Sequence, residues 1–222
     1  MSTEFDAEFD KRRHEFETTF AAKHQRLAEM TLVLSRSLAE SRRRGWATHA
    51  SLWNPALYLN IAAHDLSVLV LQVCAEREDW ARRLAARHLA LLLYETVEDL
   101  RQLLGKPLRQ PLEELGLLAA LDADLRATRE PLEVFWREHA ADLKILRTTA
   151  SAHHDHDGLA LLDAIQGIDI DAVITLGLAL GRIQNDALGP LLQRIISETA
   201  SLQPPELAPE VPFSTAGADR ED

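Results

Sequence analysis

Apolar residues recur along this chain at intervals of three, four and seven, the spacing that collects side chains on one face of an α-helix. The first stripe runs through Phe5, Phe9, Phe16, Phe20, Leu27, Met30, Leu34 and Leu38. It predicts one long amphipathic helix, or a broken pair, over residues 1–45. Gly45 follows Arg42, Arg43 and Arg44, so cations sit at the negative end of the helix dipole just before a residue suited to ending it.

Asn54-Pro55 carries a start signal: a side chain able to cap, then a proline where no amide donor is needed. The helix predicted from Pro55 bears Leu57, Ile61, Leu66, Leu69, Val70 and Val73. Glu78-Asp79 opens another, running to about Leu104 and stopped by Gly105 and Pro107. Pro111 begins a shorter helix with Leu112, Leu115, Leu118 and Leu121, and Pro131 begins the next, through Phe135, Leu143 and Leu146. Gly158 ends or interrupts it, a short piece spans Leu159 to Ile165, and Asp169 or Asp171 caps a last long helix to Ile196. Pro190 is expected to kink that helix. Gly177 and Gly181, four apart, predict close approach of a neighbouring helix.

No alternating strand pattern longer than a few residues occurs, and no internal repeat. The expectation is an all-α bundle of about six or seven helices including a long N-terminal helix, with an N-terminal helical segment over residues 1–45 and a helical bundle over 54–202. Residues 203–222 are rich in proline and acid, the composition of a disordered tail.

Charge narrows the function classes. The formal net charge is -11, so contact with nucleic acid would need a local basic patch rather than the global field. Arg42 to Arg44, and Arg82, Arg83 and Arg87, are the two basic clusters; exposed helix surface accounts for both. Trp46, Trp53, Trp80 and Trp136 read as packing anchors. His64-Asp65 interrupts an apolar helix and needs polar partners. The lone cysteine, Cys74, lies in an apolar run and reads as a small buried residue. No apolar signal core opens the chain and no uninterrupted apolar run reaches bilayer length, so a cytoplasmic protein without a membrane partner is the expectation.

The chemically dense stretch is LRTTASAHHDHD, residues 146–157. Its histidines and aspartates suggest metal, but adjacent side chains on a helix point about 100° apart and do not converge on one ion. His153 and Asp157, four apart, could supply half a site at most. No glycine-flanked turn exposes Ser151 as a nucleophile. No phosphate-binding glycine loop is present, and no cofactor is expected. Arg147 with His153 or His154 offers different chemistry. Arginine matches phosphate with a fork of donors, and histidine exchanges a proton near neutral pH. Together they suit attack by a ribose 2′-hydroxyl on its own phosphodiester without a metal. On a regular helix His154 lies nearly on the face of Arg147, whereas His153 lies about 120° round the cylinder.

An arginine, a few residues, then a histidine, late in an all-α bundle, resembles the signature of the HEPN superfamily. Here the match is Arg147-TTASA-His153, with His154 also within the spacing. The resemblance implies a helical domain that binds or cleaves RNA without a metal, often as a homodimer and often in toxin–antitoxin or phage-defence systems, with an antitoxin as a protein partner. It implies Arg147 on the scissile phosphate and His153 or His154 as acid or base, with Thr148 and Asp155 contacting substrate. Thr148 stands where the family often has asparagine, aspartate or histidine. The alternative from a different class is a non-catalytic helical interaction or regulatory protein, homodimeric or partner-binding.

Overall fold

The computed structural model describes residues 3–150 and 157–202. Within them the chain forms helices and no strand: α1 (Thr3–Arg43), α2 (Ala47–Ala75), α3 (Asp79–Leu103), α4 (Lys106–Glu114), α5 (Leu118–Ala150), α6 (Gly158–Gln166), α7 (Ile170–Ile183) and α8 (Gly189–Ser201). A single π turn, Gln184–Leu188, joins α7 to α8. The all-α expectation holds, and the proposed tail 203–222 lies outside the described residues.

Several helix ends follow their local signals. Gly45 adopts φ +70°, the left-handed conformation that ends α1 and that glycine enters without strain. The Glu78 carboxylate accepts from the Trp80 and Ala81 amides and caps α3. Asp157 accepts from Leu159 and Ala160 at the start of α6, and Asp169 accepts from the Ala172 amide to start α7. Each occupies orphan donors of a first turn.

Three proline signals misplace a helix start. Pro55 lies inside α2, which already begins at Ala47. The turn before it carries Leu52 and Trp53, 0% and 2% exposed, and their burial extends the helix backward. Asn54 accepts from Arg42 Nη2 at 3.4 Å instead of capping. Pro111 falls inside α4, because Gly105 supplies the N-terminal position and Pro107 sits in the first turn. Pro131 falls inside α5, whose buried stripe of Leu121, Leu125 and Thr128 continues past it to Leu132 and Phe135. In each case apolar burial outweighs one missing amide donor. Gly116, at φ +74°, makes the real break between α4 and α5.

The core is a single cluster to which every helix but α6 contributes fully buried side chains. Phe20, Leu34 and Leu38 of α1 belong to it. α2 runs through its middle, packing against α1, α3, α4 and α7. By length and composition α2 could also cross a bilayer; in this fold much of its surface meets other helices. Asn60, buried on α2, donates to Leu27 O at 2.9 Å and to Thr31 Oγ1 at 2.8 Å. That ties the polar centre of α2 to α1 and fixes the register of the hairpin.

Gly177 fulfils its predicted role. A Cβ built on it would stand 2.8 Å from Val70 Cγ2 and 3.4 Å from Leu89 Cδ2, so only hydrogen fits where α7 crosses α2 and α3. Farther along, Pro190 cannot donate to the Asp186 carbonyl. The helix widens just upstream, with the Gly189 amide bonding to Gln184 O. The Thr128 hydroxyl of α5 also donates to Ala187 O at 3.3 Å. The expected kink takes the form of a π bulge, a known response of helices to an interrupted ladder.

Candidate functional site

Of the five residues expected to form a site, Arg147 and Thr148 lie on the last turn of α5; His153, His154 and Asp155 lie outside the described residues. Thr148 donates its hydroxyl back to Lys144 O at 2.9 Å, a common helix-side bond for threonine. Arg147 is exposed. Its guanidinium carbon stands over the Tyr94 ring of α3, 4.9 Å from the centroid. It forms no ion pair among the described residues. A cation–π contact of this kind leaves the arginine's fork of N–H donors unused.

Tyr94 belongs to a longer series. Its ring lies 5.8 Å from that of Trp136, and the Arg101 guanidinium stands 4.9 Å from the Trp136 centroid. Arg101 is anchored at its other side by Glu133, 2.8 Å away, and that pairing holds the Glu133 carboxyl below its usual range. Two cations thus flank two aromatic rings along the seam between α3 and α5. On α5, Arg137 and Lys144 are exposed, seven apart, and with Arg147 fall within an arc of about 80°. Glu138 and Asp142 lie on the opposite flank of that helix. Sequence reasoning found Arg147 but missed Tyr94 and Arg101; Trp136, expected as a packing anchor, does pack against the core. Contacts between helices distant in sequence leave no local periodic signal.

The two basic clusters are committed elsewhere. Arg43 and Arg44 both bond Glu40, which drives its carboxyl down to about 2. Arg82 donates to Val73 O at 3.2 Å. Arg83 donates to Asp79 and, at 3.0 Å, to the Gln166 carbonyl at the end of α6. Arg87 is 6% exposed, so it is not part of a solvated basic face. Of the tryptophans, Trp53 is buried, whereas Trp80 is half exposed and is not a packing anchor. Cys74 is half-buried and burial raises its thiol.

His64 does find a partner: its ring stands 5.5 Å from that of His24, while His24 Nε2 lies 3.0 Å from Ser67 Oγ. Burial pushes His24 below its ordinary value, as do His64 and Lys23, with the Ser67 bond opposing. No group of three or more metal-ligating side chains converges among the described residues. Comparison with protein-family models, curated proteins and solved structures gave no match.

Proposed function

We propose that this chain contacts RNA through the C-terminal end of α5, as a HEPN-like protein in which Arg147 engages a phosphodiester. The observation that supports it is the Arg147–Tyr94 cation–π contact, which places a guanidinium on an exposed surface. Lys144 and Arg137 extend the positive surface along α5, supplying the local patch that a chain of net charge -11 needs. In an active form, Arg147 holds the phosphate while His153 or His154 exchanges the 2′-hydroxyl proton. The 2′-oxygen bonds to phosphorus as the P–O5′ bond breaks and the 5′-oxygen takes up a proton, leaving a 2′,3′-cyclic phosphate and a 5′-hydroxyl end.

The test is incubation of the purified full chain with mixed single-stranded RNA, with and without EDTA, beside Arg147→Ala, His153→Ala and His154→Ala. Metal-independent cleavage lost in Arg147→Ala and in one histidine variant is the expected result. RNA retention without cleavage, weakened by Arg147→Ala, would leave a binding protein. Neither retention nor cleavage would sink the reading.

A second reading rests on a different surface. Tyr58, Ile61 and Val68 are 44%, 41% and 43% exposed and share one stripe of α2. Apolar side chains in that arrangement suit a partner helix, as expected of a non-catalytic interaction protein. Ile61→Glu with Val68→Glu would then abolish self-association or partner capture while leaving the RNA assays unchanged.

A further inference from the structure

α1 packs chiefly along α2, while α7 packs on α2, α3 and α5. Between α1 and α7, over α2, lies a cleft of about 390 Å³, within the size range of small-molecule sites. Leu66 and Val70 of α2, with Leu178 of α7, give it an apolar floor, and Phe20 of α1 closes one side. Gly181 lines it without a side chain: among the described residues outside its own helix, the atom within 4 Å of a Cβ placed there is Lys23 Nζ, at 3.8 Å.

The charge on this cleft is one-sided. Lys23 and Arg182 line it, and among the described residues no carboxylate does. Neither cation forms an ion pair among the described residues, and the Lys23 ammonium sits 5.8 Å from the Phe20 centroid. Burial, then Arg26, lowers the Lys23 value, the sign of a cation held away from water without an anion to compensate it. Ser67 and Asn185 add hydrogen-bonding groups at the same edge. In a chain of net charge -11, a partly buried Lys23 and an exposed Arg182 with no carboxylate partner among the described residues are a local reversal that suits an anion.

We propose that this cleft binds an amphiphilic carboxylate of medium chain length. The head group lies between Lys23 and Arg182, which offer an ammonium and a guanidinium fork to one carboxylate. The aliphatic body covers Phe20, Leu66, Val70 and Leu178. The site shares no residue with the Arg147 surface and stands whether or not the chain contacts RNA.

Calorimetric titration of the full chain with decanoate, below its micelle concentration, tests the assignment. Decanol, decyltrimethylammonium and decyl phosphate serve as comparison ligands. The expected result is saturable binding of one decanoate per chain, with decanol and the cationic ligand weaker by roughly tenfold or more. Lys23→Gln combined with Arg182→Gln should remove that preference while leaving decanol unchanged. Gly181→Leu, checked for folding by circular dichroism, should fill the cleft and abolish binding. Equal affinity for decanoate and decanol, or decanoate binding untouched by the paired glutamine substitutions, would overturn the proposal. Tighter binding of decyl phosphate than of decanoate would overturn the carboxylate assignment in favour of a phosphate head group.

Discussion

The Arg147 guanidinium carbon stands 4.9 Å from the centre of the Tyr94 ring, so the residue singled out by its spacing from the histidines is met by an aromatic side chain on another helix. The contact predicts a graded response. Tyr94→Phe keeps the ring face and should leave RNA retention unchanged. Tyr94→Ala releases the arginine and should weaken retention by about 0.5–1 kcal/mol, roughly two- to fivefold. Arg147→Ala should also reduce the slope of log affinity against log salt by about 0.7 for a single strand. Fluorescence anisotropy with labelled single-stranded RNA at several salt concentrations reads all three.

That contact also marks where local sequence signals stop. Glu78, Asp169 and Gly45 announced their helix ends correctly, because a cap or a left-handed glycine acts within one turn. Pro55, Pro111 and Pro131 misled, because each signal competes with burial of the turn before it, and burial depends on helices far away in sequence. Arg147 was legible as chemistry; its partner Tyr94 was not. The same holds for Lys23 and Gly181, brought together by the fold alone.

Gly177 and Gly181 occupy the same helix face but should respond oppositely to alanine. Replacing a helical glycine by alanine gains about 1 kcal/mol in propensity. At Gly181 little opposes this, and Gly181→Ala should stabilise by up to that amount. At Gly177 the new methyl meets Val70 Cγ2 at 2.8 Å. Overpacking costs about 1–3 kcal/mol, so Gly177→Ala should be net destabilising. Adding Val70→Ala should offset part of the loss, giving a coupling that urea denaturation of the double-mutant cycle would measure. Independent, additive effects would show that the two side chains do not meet.

Gln184 opens the π bulge and is 3% exposed, yet neither Oε1 nor Nε2 has a hydrogen-bond partner among the described residues. An unsatisfied buried polar group costs about 1–3 kcal/mol. Gln184→Met keeps the side-chain length and removes both groups. It should raise stability by about 1 kcal/mol or more, seen as a higher urea midpoint with an unchanged slope. A fall in stability would mean that the amide is satisfied in the native protein after all.

His24 and His49 set a pH dependence whose sign follows from their burial. Burial is the first cause lowering both rings from their ordinary value of 6.5, and at His24 the neighbouring His64 and Lys23 act in the same direction, against the Ser67 bond. Between the folded values and 6.5 the unfolded chain therefore binds more protons than the folded one. Stability rises with pH through that window; equivalently, it is present above 6.5 and lost as pH falls, the reverse of a histidine paired with a carboxylate. The melting temperature should drop on acidification from about pH 7 to 5, by less in His24→Gln, and least in His24→Gln combined with His49→Gln. Carboxylates contribute in the same direction at lower pH, as the depressed values of Glu40 and Glu133 require. The histidine part is therefore the difference between wild type and the double variant above about pH 5, where those carboxylates stay ionised in both states. An identical pH profile in the double variant would mean that neither ring is held neutral by the fold.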